Sequence, residues 1–168
     1  LALVILSMGL GGCTWIKNLS TKKDNVLPPT PLVEVTPTAS TQKLWSASIS
    51  GGAGTSGAHM NPALDGGRLY VASIEGQIAA LDAGTGRKLW STNVKGMQWA
   101  GGPAARGDLL VVDSLNGEVR GFSTQDGSEL WQVYLSSEVI SAPSIADDVI
   151  AVRSQDGRLF GLDPANGT

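Results

Sequence analysis

Residues 80–90 read Ala-Leu-Asp-Ala-Gly-Thr-Gly-Arg-Lys-Leu-Trp, and this stretch decides the fold because versions of it return along the chain. Residues 121–131 keep its second Gly and its Trp, as Gly-Phe-Ser-Thr-Gln-Asp-Gly-Ser-Glu-Leu-Trp, and a third copy begins at residue 161. Trp90 and Trp131 are therefore 41 residues apart. A period near 40 residues is typical of solenoids and β-propellers.

The residues between these copies favour the propeller. Three short segments rich in β-branched and large apolar residues are too brief for helices and predict strands. They are 69–73, 109–113 and 149–153. Each leads to a pair that ends in glycine, namely Glu75-Gly76, Asn116-Gly117 and Asp156-Gly157. Such pairs predict tight hairpins in which both turn residues have positive φ.

We therefore expect four strands per repeat, one ending at a recurring proline, two forming the hairpin and one carrying the tryptophan. The recurring prolines are Pro62, Pro103 and Pro143. Four-stranded antiparallel units of this length are propeller blades. The sequence predicts an all-β fold, a β-propeller of four-stranded antiparallel blades, in a partial propeller domain over 43–168. The expected blade repeats lie near 57–95, 98–135 and 139–168.

The N-terminal residues predict export and a membrane anchor. Residues 1–12 are uncharged and mostly apolar, as in the core of a signal peptide, and we expect them to be such a core, truncated. The following Leu10-Gly-Gly-Cys13 resembles the lipobox of bacterial lipoproteins, which implies lipid attachment at Cys13. Residues 13–42 are rich in Pro, Ser and Thr and predict a flexible tether after the lipidated cysteine. Thr14 stands where Asp would favour the inner membrane, so the resemblance implies the outer membrane.

Composition excludes several functions. The formal net charge of -3 provides no basic face for nucleic acid. A single cysteine excludes an internal disulfide and a cysteine-rich zinc site. His59 is the sole histidine, and no second histidine or evident nucleophile accompanies it. The glycine-rich run at 51–57 lacks the Gly-Lys-Ser/Thr ending of a phosphate loop, so we interpret it as a connector.

The aspartates recur at turn positions, where Asp commonly hydrogen-bonds its own backbone. Three follow the second predicted strand of the hairpin, and four lie in the loop before its first strand. They are Asp82, Asp126 and Asp163, then Asp65, Asp108, Asp147 and Asp148. Because turn chemistry accounts for these carboxylates, we predict no catalytic residue, no metal site and no cofactor.

The stretch at 80–90 resembles the blade motif of quinoprotein-type propellers, written Ala-x-Asp-x-x-Thr-Gly-x-x-x-Trp, in which the Trp docks between successive blades. The resemblance implies structural docking roles for Trp45, Trp90 and Trp131 and for Gly86 and Gly127. Lys43-Leu44-Trp45 is interpreted as an isolated fourth-strand motif before the first complete blade. Quinoprotein dehydrogenases on this fold hold pyrroloquinoline quinone (PQQ) over calcium, so a fragment of a PQQ-dependent periplasmic dehydrogenase is an alternative.

Lipobox, tether and repeats together resemble the BamB family, lipoprotein subunits of the machine that inserts β-barrels into the outer membrane. The resemblance implies an eight-bladed ring of which an N-terminal fragment with about three blades is present. It implies a non-enzymatic scaffold on the periplasmic face that binds BamA and the barrel assembly complex and assists unfolded outer-membrane protein precursors. The family's main BamA-contacting loops are expected beyond Thr168, so partner-binding residues stay unassigned. A third hypothesis is a lipoprotein that binds cell-wall ligands.

Overall fold

The structure is a computed structural model that describes residues 29–51 and 59–168. Within these residues all regular structure is β-strand, with eleven strands. A search of the same residues found no helix that is both long and apolar enough to cross a membrane. Thr41–Thr168 forms one compact unit. Residues 29–40, taken by themselves, are exposed throughout and contain no strand.

The strands form three antiparallel sheets in which each strand pairs with its neighbour in the chain. Blade 1 consists of β1 (Ala63–Asp65), β2 (Arg68–Ala72), β3 (Gln77–Asp82) and β4 (Lys88–Asn93). Blade 2 consists of β5 (Ala104–Arg106), β6 (Leu109–Asp113), β7 (Glu118–Ser123) and β8 (Glu129–Tyr134). Blade 3 consists of β9 (Ser144–Ile145), β10 (Ile150–Arg153) and β11 (Leu159–Leu162). The predicted all-β fold of four-stranded antiparallel blades is confirmed, with blade 3 a partial blade of three strands.

The β2–β3 hairpin turns differently from the sequence prediction. The Gly76 amide donates to the Ser73 carbonyl at 3.1 Å, and the Ser73 amide donates to the Gln77 carbonyl at 2.9 Å. Gly76 has a φ of 83°, whereas Glu75 has no positive φ. The prediction of two positive-φ residues is wrong because a longer loop lets one left-handed glycine close the hairpin. The corresponding glycines of the other blades have φ values of 78° and 84°, at Gly117 and Gly157.

The recurring prolines also lie differently from the prediction. Each stands immediately before the first strand of its blade, which begins at Ala63, Ala104 or Ser144. The prediction of a strand that ends at the proline is therefore wrong, because the strand begins after it. Proline has no amide hydrogen, and the position before an edge strand requires no ladder hydrogen bond from it.

Apolar side chains of adjacent blades meet in two clusters. Between blades 1 and 2, the side chains of Tyr70, Ile78, Leu110 and Phe122 are buried, and Trp99 packs edge-on against Phe122 at 6.2 Å between ring centroids. The cluster between blades 2 and 3 contains Val111, Val119, Trp131, Val139, Ile150, Val152 and Leu162. The neighbours Leu110 and Val111 belong to different clusters because successive strand residues face opposite sides of a sheet. Strand β6 therefore joins blade 2 to both of its neighbours.

We predict that Leu110→Ala lowers the free energy of unfolding by about 2–5 kcal/mol, because it leaves a cavity between two sheets. Leu130→Ala is the matched control. It removes the same atoms from a side chain that is 55% exposed, and we expect a loss below about 1 kcal/mol. Chemical denaturation of the purified proteins measures both values. Equal losses would contradict the assignment of Leu110 to the core between blades.

Candidate functional site: the contacts between blades

The third strand of each blade is followed by a tight turn closed by glycine, which in blades 1 and 2 leads to the fourth strand. In blade 1 the Gly86 amide donates to the Asp82 carbonyl at 2.8 Å, and the Asp82 amide donates to the Arg87 carbonyl at 2.8 Å. The φ of Gly86 is 72°. Gly127 and Gly167 have φ values of 74° and 77°, and their amides donate in the same way to Ser123 and Asp163. A residue with a side chain is strained at such φ values.

The aspartates of these turns bind their own backbone. Asp82 Oδ1 accepts from the Thr85 hydroxyl at 2.7 Å and from the Thr85 amide at 2.8 Å, and these bonds hold the pKa of Asp82 below its usual value. The amide and hydroxyl of Ser128 lower the pKa of Asp126 in the same way. Asp163 Oδ1 accepts from the Ala165 amide at 2.8 Å. These carboxylates are thus engaged by their turns.

No group of three or more His, Cys, Asp or Glu side chains in the part of the chain that the structure describes could hold a metal ion. The donor set that a quinone-bound calcium ion requires is several oxygens converging on one point. The acidic side chains of the described residues do not converge in such a set.

The three predicted docking tryptophans each reach the third-to-fourth-strand turn of the blade that follows. The indole Nε1 of Trp45 donates to the Ala83 carbonyl at 2.9 Å. Trp90 donates to the Thr124 carbonyl at 2.9 Å and Trp131 to the Pro164 carbonyl at 3.0 Å. One contact is thus repeated three times. Residues 43–45 make it without forming a strand.

A glycine lies under each of these indoles. A Cβ placed on Gly86 would lie 2.5 Å from Cε3 of Trp45. A Cβ on Gly127 would lie 2.6 Å from Cε3 of Trp90, and the same holds for Gly167 and Trp131. The ring occupies the space that a side chain would need. Each of these glycines is therefore required by its backbone conformation and also by the ring that packs on it.

Two glycines at this site were not among the predicted docking residues. Gly167 makes the third ring contact at the end of the chain, and Gly121 lies against Trp131 within its own sheet. The equivalent pair in blade 1 is Ala80 with Trp90. The sequence signal for Gly167 was present, because it lies 40 residues after Gly127. Gly121 stands where the blade motif has Ala, and nothing in the sequence shows that a ring occupies the space of the missing methyl group.

Polar side chains add further contacts between blades near these turns. The guanidinium of Arg68 donates to the Thr124 carbonyl at 2.7 Å and to Gln125 Oε1 at 3.0 Å. Asp65 Oδ2 accepts from the Gly107 amide at 3.0 Å. Between blades 2 and 3, Arg106 forms an ion pair with Asp147. This pair is exposed and contributes little to stability.

Several predicted features lie outside the described residues: the signal-peptide core at 1–12, the lipid attachment residue Cys13 and most of the glycine-rich run at 51–57. His59 is described and is exposed.

The sequence of the chain is similar to a family of known proteins. A family model described as "Outer membrane protein assembly factor BamB" matches residues 32–168. The BamB of Vibrio cholerae is 39% identical to the chain over 163 residues, which cover 94% of this chain and 40% of that protein. The BamB of Yersinia pestis is 29% identical over 168 residues, which cover 94% of this chain and 42% of that protein. The chain spans about two fifths of the length of these relatives.

Solved structures match the fold. BamB from Moraxella catarrhalis aligns with a TM-score of 0.59 and 23% identity, covering 65% of this chain and 33% of that one. The quinohemoprotein alcohol dehydrogenase ADHIIG from Pseudomonas putida HK5 aligns with a TM-score of 0.56 and 17% identity, covering 64% of this chain and 19% of that one. At these identities the likeness concerns the fold alone, and the fold is that of propeller blades.

We predict that Gly127→Ala lowers the free energy of unfolding by about 2–5 kcal/mol, combining about 1–2 kcal/mol of left-handed strain with about 1–3 kcal/mol of overpacking against Trp90. Gly66→Ala separates the two effects. Gly66 also has positive φ, 54°, but no atom lies within 4 Å of a Cβ there. We expect only the strain of about 1–2 kcal/mol. Denaturation curves that show the same loss for both variants would contradict the ring contact.

Proposed function

The chain belongs to the BamB family of outer membrane protein assembly factors, and on that premise we propose that it is part of a non-enzymatic scaffold of the barrel assembly complex. The match of the family model from residue 32 to residue 168 carries this proposal, because it includes all three blades and the end of the tether. We propose that the protein binds BamA on the periplasmic face of the outer membrane, and that the complete ring has eight blades.

The proposed anchor is a lipid on Cys13. A single acyl chain gives weak binding to a membrane, and stable attachment requires more than one. The 32 residue-to-residue steps from Cys13 to Trp45 span at most about 110 Å when fully extended. Residues 29–40 are exposed and contain no strand, which supports a tether in this part of the segment. Such a tether keeps the blades near the membrane while leaving them free to turn towards a partner.

The outer strand of blade 2 supplies a surface for unfolded barrel precursors in this proposal. Strand β8 pairs with β7 on one side, and no described strand pairs with its other edge. Leu130 and Tyr134 on this strand are 55% and 65% exposed. An unpaired edge with apolar side chains is a template for an additional strand. Strands of outer-membrane barrels alternate apolar and polar residues, so one can pair with the edge and cover these two side chains.

The dehydrogenase alternative has a direct test. Dye-linked oxidation of alcohols by the purified protein with added quinone and calcium would contradict the scaffold proposal. No contact among the described residues favours this alternative or the binding of cell-wall ligands.

We predict that Cys13→Ala moves the protein from the membrane fraction to the soluble fraction, because it removes the acyl chains. Thr14→Ala keeps the cysteine and should stay with the membrane. The purified Cys13→Ala protein should still capture the periplasmic domains of BamA in a pull-down. If neither the unaltered protein nor Cys13→Ala captured BamA in the pull-down, the proposed partner would be contradicted. If Cys13→Ala stayed in the membrane fraction, only the proposed anchor would be contradicted.

We predict that the double change Leu130→Lys with Tyr134→Lys weakens cross-linking to an unfolded barrel precursor by at least about fivefold, equivalent to about 1 kcal/mol. Lysine on an edge strand disfavours pairing with another strand. Leu64→Lys is the control. Leu64 is exposed to a similar degree, at 67%, but it lies on β1 and not on the edge strand β8. Precursor cross-linking that is equally reduced in the control would contradict a role of the β8 edge.

A further inference from the structure

Asp113 is a buried carboxylic acid that the proposed function does not use. It ends strand β6 and is 0% exposed. Its Oδ1 accepts from the Gly101 amide at 2.9 Å, while its Oδ2 has no hydrogen-bond partner. A buried carboxylate that accepts one hydrogen bond is poorly solvated, so the charged form is strongly disfavoured here.

The surroundings of Asp113 form the junction between blades 2 and 3. Gly101, its hydrogen-bond donor, packs so closely on blade 3 that a Cβ there would lie 2.5 Å from the backbone nitrogen of Ala142. The Val139 amide of the connector to blade 3 donates to the carbonyl of Ser114, the residue next to Asp113, at 3.3 Å. The carboxyl group is therefore held beside the backbone contacts that join the two blades.

The blade fold does not require an acid at this position. The equivalent residue is Ala72 in blade 1 and Arg153 in blade 3, according to the alignment of the three strands. Ala72 belongs to the apolar cluster between blades 1 and 2. The acid is thus present in one of the three blades, and its burial with a single hydrogen bond has an energetic cost.

Burial raises the pKa of Asp113 from 3.8 to about 7, and the Gly101 amide offsets only part of this effect. Strand β7, which pairs with β6 at Asp113, carries the ion pair of Glu118 and Arg120. The connectors before blades 2 and 3 carry the exposed Lys95 and Glu138, and β10 carries the exposed Arg153. None of these charges contributes to the pKa of Asp113. No neighbouring charge therefore stabilises the carboxylate.

We propose that Asp113 makes the junction between blades 2 and 3 sensitive to pH, holding it closed in the neutral form and loosening it in the ionised form. Opening exposes the carboxyl group to water and restores an ordinary pKa. Because the pKa is raised in the closed state, opening releases a proton between about pH 4 and pH 7. The closed junction is most stable below this window, loses stability as the pH rises through it, and changes little once the pH is about one unit above the pKa of the closed state.

Hydrogen exchange of the Gly101 and Val139 amides in the purified protein tests the proposal. The ratio of wild-type to Asp113→Asn exchange rates at each pH cancels the intrinsic pH dependence of exchange. We expect this ratio to rise about 10- to 100-fold from pH 5 to pH 7 and by no more than about twofold from pH 7 to pH 8.5. Asp148→Asn, which removes an exposed carboxylate of blade 3, should show the wild-type behaviour at every pH.

A ratio that stays constant from pH 5 to pH 7, or an Asp148→Asn protein that behaves like Asp113→Asn, would overturn the proposal. Titration of the Asp113 carboxyl carbon by NMR in the unaltered protein provides a measurement that needs no variant. A midpoint near 7 supports the proposal, and a midpoint near 4 overturns it. The outcome is independent of BamA binding and so of the proposed function.

Discussion

The contact between a tryptophan indole and a glycine turn of the following blade is the constraint on which the rest of the structure depends. Three indoles make it, each with a hydrogen bond to a turn carbonyl and a ring face on a glycine. A single four-stranded sheet has two apolar faces and cannot cover either by itself. The indole fixes how far the next sheet lies from its neighbour. Burial of the clusters between blades depends on that distance.

The fold was predictable because this contact leaves a periodic mark in the sequence. The 41-residue spacing of Trp90 and Trp131 identifies the repeat, and the short apolar segments identify its strands. Gly121 shows where this reasoning stops. It stands where the first repeat has Ala80, and it lies under the ring of Trp131. The sequence shows that Gly121 has no side chain, but only the structure shows that the ring of Trp131 occupies the space a side chain would need.

Two predictions from the sequence are wrong, and both concern the backbone of single residues. Asn116 and Asp156 precede glycine, as in tight two-residue hairpins, yet neither has positive φ. Their loops contain three residues rather than two. A residue pair that ends in glycine occurs in loops of both lengths, so the pair alone does not distinguish them. A proline likewise marks one end of an edge strand without revealing which end. The buried acid Asp113 is missed for a different reason, because its burial depends on a blade that follows it in the chain.

The blades share a backbone but differ in their charged residues. Arg120 binds Glu118 and Glu129, and Glu118 is 2% exposed. Blades 1 and 3 have Ala79 and Phe160 at the position of Arg120. A buried ion pair gives little net stability over apolar packing, but loss of one partner leaves a costly buried charge. Pairing of β7 with β4 in place of β8 would therefore be unfavourable, because β4 has Lys88 where β8 has Glu129 and Arg120 would lose this partner.

Stacking also decides which surfaces remain for a partner. The sheet faces that meet between blades 1 and 2 and between blades 2 and 3 are covered, and an indole covers the glycine turn after the third strand of each blade. The outer edges of the sheets are not used in either contact, and on β8 the edge carries the exposed side chains of Leu130 and Tyr134. The blades are thus joined to one another by side-chain packing, while the edge of β8 that no described strand pairs with leaves its backbone hydrogen-bonding groups available. Recognition through backbone hydrogen bonds tolerates many sequences, so a segment that paired with this edge would be selected by its pattern of apolar and polar residues rather than by its exact sequence.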